Sequence, residues 1–374
     1  LSKLTFEQLA DLKLLVSVEG VGPAKIRNLL RKFKSIELIL SAPTRQLTEV
    51  EGIGPGLALK IQSIKKYRAT IEQKLEKTLR RLEKLNGGLI TVWDKEFPPL
   101  LKKIDDPPMI IYYLGSFIEN EALSIGIVGT RTPSSYGKIQ TEKLTAELAD
   151  RGVTIVSGLA RGIDSVAHET AIKNNARTIA VIGSGIDVIY PPENKSLFRK
   201  IADSGLIISE YEPGTKPDAL NFPKRNRIIS GVSHGCVIVE TGIKGGALYT
   251  ARFALNQNRE VFAVPGNLGI KQAEGTNLLI QKGEAKLITA ADDILVELEQ
   301  VKKSFEKGGK PKERPKDLNI FEEKIVGCIE VEPQHIDKIA EITGLSTSDC
   351  LIHLLSLEFN GIVKQLPGKV FAKL

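Results

Sequence analysis

Apolar positions in the first 85 residues return every three or four, the spacing of helices that bury one face. They gather around two copies of one motif, Val18-Glu-Gly-Val-Gly-Pro23 and Val50-Glu-Gly-Ile-Gly-Pro55, set 32 residues apart. Each copy follows one helical pattern and precedes another, over 24–33 and 57–67. Glycines there let the chain turn tightly, and free N–H groups at the start of the next helix can face a phosphate. An all-helical domain over 1–85 is expected. Past residue 120 the pattern changes to short, continuously apolar runs at 124–128, 153–156, 178–182, 206–209, 236–239, 261–264 and 286–288, with helical stretches between most of them.

That alternation predicts an α/β fold, an extended Rossmann-like, doubly wound parallel sheet with more strands than a minimal nucleotide-binding half. Residues 86–120 carry two further strand-like runs, 89–92 and 109–114, broken by Phe97-Pro-Pro99 and Asp105-Asp-Pro-Pro108. They read as a linking lobe that leads a domain spanning 86–301. Residues 302–319 mix charges with Gly-Gly and two prolines, the composition of a flexible linker. Residues 320–374 predict a winged helix: helices over 321–329 and 336–343, the second closed by Gly344, a third from Ser346 to Gly361, and a hairpin turning at Pro367-Gly368. The first part resembles a tandem helix-hairpin-helix unit of the SAM-like kind found in DNA-binding proteins.

Composition sharpens the picture at a few points. A chain of 374 residues exceeds one ordinary core, and no run of about 18 apolar residues offers a membrane span. The first residues lack the apolar core of an export signal. Cys236, Cys328 and Cys350 are widely spaced in apolar sequence and read as reduced thiols of a cytoplasmic protein. The four histidines show no metal-ligand spacing, so neither a metal nor another cofactor is expected. Charge is uneven: 17 Lys/Arg face 9 Asp/Glu over residues 1–85, which suggests an anionic partner for the helical domain.

The most concentrated feature is Phe222-Pro-Lys-Arg-Asn-Arg-Ile-Ile-Ser-Gly231. Phe222-Pro223 predicts an extended entry, and Ile228-Ile229 the buried face of a following helix. Cations framed in this way suit a fixed anion. Ligands of open parallel sheets bind outside the carboxyl ends of the strands, and those ends carry Gly129-Thr130-Arg131, Ser157-Gly-Leu-Ala-Arg161-Gly-Ile-Asp164, Gly183-Ser-Gly185, Ser209-Glu210, Glu240-Thr-Gly242 and Gly245-Gly246. Arg131 leaves its turn where a phosphate would lie, and Lys224, Arg225 and Arg227 are placed to approach the same crevice. No dinucleotide fingerprint, Walker A motif or nucleophile elbow is present. His168 reads as a packed or surface residue of a helix, and Asp164 and Glu240 as caps and backbone acceptors.

The runs at 126–131, 157–168, 178–194, 222–231, 245–252 and 259–266 together resemble the DNA-processing protein A (DprA/Smf) family, with order and spacing intact. The resemblance implies a non-catalytic protein that binds and protects incoming single-stranded DNA through the Rossmann-like domain. It further implies a homodimer formed through that domain, and the loading of RecA recombinase during natural transformation. Arg131 then becomes the phosphate-binding arginine, with Lys224, Arg225 and Arg227 in the same basic pocket and Lys195 beside it. Gly129, Thr130, Arg161, Asn226, Gly245 and Gly246 complete the implied site. Lys244 stands before Gly245-Gly246 where the family often has serine.

Two other readings stay open. The fold resembles the nucleotide phosphoribohydrolases of the Lonely Guy family, but Gly245-Gly-Ala-Leu-Tyr-Thr-Ala-Arg252 offers no acid where their catalytic glutamate falls. A duplex-DNA scaffold acting through the helical domain would use that domain's charge. The third helix of the winged-helix segment contains no Lys or Arg and the segment is net acidic, which disfavours major-groove reading and favours a protein contact or packing role.

Overall fold

The computed structural model describes residues 4–118, 123–298, 320–329, 333–359, 362–366 and 369–373. The chain divides into two compact units, residues 1–300 and 301–374. The expected linker at 302–319, Gly361 and the turn at Pro367-Gly368 lie outside the described residues.

The first unit opens with helices Phe6–Val16, Pro23–Phe33, Ile36–Ser41, Thr44–Thr48, Pro55–Ser63 and Arg68–Lys84. The two repeated motifs form the same turn. Val21 N–H donates to Val18 O at 2.9 Å and Ile53 N–H to Val50 O at 3.0 Å. Gly20 and Gly52 take φ of 90° and 82°, where a side chain is disfavoured. Each following helix starts with proline, whose missing N–H is one the first turn does not use. The copies also interlock: Gly20 faces Leu57 and Gly52 faces Lys25, matching positions of the two repeats.

Among the described residues, nine strands form one sheet in the order β1-β2-β6-β5-β4-β3-β7-β8-β9. The strands are β1 (Gly87–Thr91), β2 (Ile110–Gly115), β3 (Ser124–Val128), β4 (Thr154–Ser157), β5 (Thr178–Ile182), β6 (Leu206–Ser209), β7 (Gly235–Ile238), β8 (Glu260–Ala263) and β9 (Lys286–Leu287). The seven strands from β3 onward are parallel, with the order reversing at β3. Here the sheet departs from the all-parallel expectation. The leading lobe does more than link, since β1 and β2 form a hairpin whose β2 pairs antiparallel with β6 and carries the sheet outward. The prolines at 98–99 and 107–108 fall between those two strands, where a ladder needs no donor.

One apolar cluster runs from the helices into the sheet, joining Leu12, Leu15 and Leu75 to Ile111, Ile182 and Ile207. A buried lysine fastens the two. Lys13 Nζ donates to the Tyr112 hydroxyl at 2.9 Å and pairs with Glu212 beyond β6. Arg81 of the last helix pairs with Asp187 beyond β5. Burial pushes the Tyr112 phenol up, with Glu212 adding to the effect, so it stays protonated.

The second unit holds helices Ile320–Cys328, Ile336–Thr343 and Thr347–Phe359 and the strands β10 (Gln334–His335), β11 (Val363–Leu366) and β12 (Val370–Lys373), ordered β10-β12-β11. Gly344 closes the second helix at φ 71°, and Ser346 Oγ accepts from Asp349 N–H at 3.1 Å. Ile325, Ile339, Leu354 and Phe371 meet in its core. This is the winged-helix arrangement.

Gly52→Ala should cost about 1 kcal/mol, because the added carbon meets only the flexible Lys25 stem and the strain is in φ alone. Gly115→Ala should cost at least about twice as much, since at φ 91° the new carbon would also lie 2.3 Å from Gly205 O. Urea unfolding of both variants checks the ranking.

Candidate nucleic-acid interface

The order reversal at β3 opens a crevice at the carboxyl ends of β3, β4 and β7, where an open α/β sheet places its ligands. Two backbone links hold its floor. Thr130 N–H donates to Glu240 O at 2.7 Å, and Ile163 N–H donates to Thr130 O at 3.2 Å. Gly129 must lack a side chain, because a Cβ there would sit 2.5 Å from Ile163. Glu240 accepts from the Ser134 amide at 2.9 Å and from its hydroxyl, and Asp164 accepts from the Gly158 amide at 3.1 Å. Both carboxylates are thus backbone acceptors, as their sequence context implies.

The helix Asn221–Gly231 delivers the cations, and here the extended entry is corrected. Phe222 and Pro223 already lie in its first turn, where proline is tolerated. Successive residues of a helix point about 100° apart, so Lys224, Arg225 and Arg227 cannot all line one pocket. Arg225 turns into the crevice and is buried, with one Nη donating to Val181 O and Asp164 nearby. Arg227, on the far side, is buried against Glu210 at 2.6 Å and Asp106 at 3.2 Å. Lys224 is exposed between them.

Two cavities share Arg131, Ala160 and Arg225 in their walls. The larger, about 420 Å³, is lined by Gly129, Thr130, Asn226, Gly245 and Gly246 among others, and lies at the start of the helix Ala247–Asn256. Asn226 Nδ2 donates to Gly246 O at 3.3 Å. The smaller is lined by Arg161, Tyr190 and Phe222. Exposed Arg131 lies over the Phe222 ring at 5.5 Å, and the Tyr190 and Phe222 rings are 5.5 Å apart. Arg161 pairs with Glu193 at that mouth. Lys195, exposed at the start of helix Lys195–Ser204, lines neither cavity, and nor does Lys224.

Burial sets the local electrostatics. It pushes the Arg225 guanidinium down to about 10, with Asp164 opposing and Arg131 reinforcing, so the group stays charged at neutral pH. Burial also pushes the Asp164 carboxyl up, against Arg225 and the surrounding amides. His168 is sealed in the core with Nδ1 2.6 Å from Thr178 Oγ1, and burial with Arg225 nearby pushes it down to about 3. It is packed, and its ring stays neutral.

Sequence reasoning missed the Tyr190 ring and the way Arg225 is housed. A Cβ on Gly158 would lie 1.8 Å from Arg225 Nη1, so that glycine makes room for the guanidinium. A glycine directly after a buried strand was the available signal. Among the described residues no cluster of three or more His, Cys, Asp or Glu is placed to hold a metal ion, and no helix is long and apolar enough to cross a membrane.

Fold and crevice together define a Rossmann-like protein with a recessed, arginine-lined crevice at the sheet's switch point. Comparison with known proteins is more specific. Residues 88–299 match the family profile of DNA recombination-mediator protein A, residues 309–369 the DprA winged helix domain, and residues 12–64 a SAM-like helix-hairpin-helix tandem. Protein Smf of Synechocystis is 37% identical over 94% of this chain and 95% of its own length. DprA of Bacillus subtilis is 43% identical over 64% of this chain and 81% of its own. The X-ray structure of DprA from Streptococcus pneumoniae superposes with a TM-score of 0.66 at 32% identity, covering 79% of this chain and 99% of that one. DprA from Helicobacter pylori, whose structure is described in terms of its single-stranded DNA binding mode, gives 0.51 at 33% identity over 58% of this chain and 96% of that one. The chain belongs to the DprA/Smf family.

Two outcomes follow from the side-chain placement. Arg227→Ala should cost about 2 kcal/mol, mostly through lost burial of its own side chain and the pair with half-buried Glu210, since Asp106 is exposed, read by urea unfolding. For His168, the folded value lies below the ordinary one, so its contribution is present above about 6.5 and is lost as pH falls toward about 3. Across that window the wild type should lose about 1.4 kcal/mol per pH unit more than His168→Asn, measured as unfolding free energy against pH.

Proposed function

We propose that this protein binds single-stranded DNA in the switch-point crevice and acts as a recombination mediator, protecting strands and loading RecA during natural transformation. The observation that carries the reading is the pairing of recessed Arg225 with Arg131 at the mouth, between a glycine-lined cradle and two aromatic rings. Phosphate is the anion such a cradle suits, and cations meeting phosphates release counterions with little regard for sequence. Gly129, Thr130, Arg131, Arg225, Asn226, Gly245 and Gly246 would form the contact, with Arg161, Lys224 and Lys195 at its edges. Arg227 supports the site by holding the helix to Glu210 and Asp106.

The role is binding, not catalysis. His168 is sealed away, and both crevice carboxylates are occupied by amides. Membership of the DprA/Smf family supports the partners: single-stranded DNA, RecA, and a second copy of the chain joined through the sheet domain, in the cytoplasm.

Fluorescence anisotropy of the full chain with labelled oligo-dT and a matched duplex, across a salt series, tests this. Single strands should bind better, and Arg131→Ala should weaken oligo-dT, oligo-dA and oligo-dC alike while reducing the log–log salt slope by about 0.7. Full affinity with altered base preference would sink the phosphate assignment. Equal affinity for duplex would move the function to the helical hairpins.

A further inference from the structure

A strand tracked along a surface needs cations in a row at that surface. Arg225 lies below it, 4% exposed, with its Nε–H unpartnered among the described residues. It lines a cavity of about 420 Å³, within the ~300–1,000 Å³ range of small-ligand sites and far roomier than a phosphate group needs. The opposite wall is the start of the ten-residue helix Ala247–Asn256, which has no side-chain cap. There the amides of Gly245, Leu248 and Tyr249 are taken up by Gly242, Gly245 and Gly246 carbonyls, while those of Gly246 and Ala247 have no partner among the described residues. The Arg225 side chain and the two residues that bear these amides thus line the same space. A phosphate within a strand carries ester arms on both sides, and both must climb back out of such a recess. A terminal phosphate carries one.

We propose that this cavity seats a single nucleoside 5′-monophosphate as a ligand in its own right, its phosphate between Arg225 and the Gly246 and Ala247 amides. The nucleoside fills the remainder of the 420 Å³ cavity along Arg131; the slot beside Tyr190 and Phe222, about 10 Å³, is too narrow to take it. The proposal rests on the crevice being the anion site. It adds that free nucleotides and DNA strands compete for it.

Gly246→Asp is the informative variant. Gly246 has φ −60°, open to any residue, and an added Cβ would meet nothing within 4 Å. A carboxylate at a helix start also favours folding, yet it would repel a phosphate in the cavity. Calorimetry of the full chain with thymidine 5′-monophosphate, thymidine and inorganic phosphate is then combined with displacement of labelled oligo-dT. The nucleotide should bind at least about tenfold more tightly than thymidine or phosphate, displace the oligonucleotide, and lose at least about tenfold on Gly246→Asp. If oligo-dT binds but the nucleotide neither binds nor displaces it, the single-nucleotide site is wrong and the strand reading stands. If neither binds, both are wrong. Inorganic phosphate binding as tightly as the nucleotide, or undiminished nucleotide binding by Gly246→Asp, would also overturn the proposal.

Discussion

The crevice depends on keeping one guanidinium charged out of water. Burying a cation costs several kcal/mol unless partners replace its hydration. Arg225 is compensated by Val181 O and by Asp164, and is admitted only because Gly158 has no side chain. Asp164 in turn sits in the first turn of the helix Ile163–Lys173, entered through Gly162 at φ 79°. A Cβ on Gly162 would collide with Thr130 O at 2.4 Å, so the turn after β4 nests directly against the turn after β3. Thr130 is tied to Glu240 after β7. The ends of three strands are therefore fixed relative to one buried charge, and the crevice walls are held in place by the fold itself.

Much of this was legible in sequence because the signals are local. Three apolar runs, 124–128, 178–182 and 206–209, match strands residue for residue, and four others shift by one position or end one earlier. Continuous apolar runs bounded by glycine and polar residues leave little freedom in register. The repeated Gly-x-Gly-Pro turns were equally plain, since glycine at positive φ and proline at a helix start each have a single backbone reason.

What was not legible depended on direction. Three cations in four residues look like one patch in a linear chain, but a helix sends Arg225 and Arg227 to opposite sides. Pro223 suggested an extended entry, and only its place in the first turn lets it join the helix. The leading lobe read as a linker because prolines break its two strand-like runs, although those prolines fall between β1 and β2 and leave both strands free to pair. The aromatic pair of Tyr190 and Phe222 joins residues 32 apart in sequence through the turns after β5 and β6.

The helical hairpins and the sheet read as separate modules in sequence, yet they form one compact unit that Lys13 helps to fasten. Its ammonium is buried between Tyr112 on β2 and Glu212 beyond β6. Swinging the helices away would break that ion pair and strip the buried Tyr112 hydroxyl of its donor. The hairpins are therefore fastened to the segment after β6 as well as to β2. Thr215 in that segment accepts from Gly185, two residues from the backbone that faces Phe222. One chain of contacts, from Lys13 through Glu212 and Thr215 to Gly185, thus ties the hairpins to the rim of the crevice.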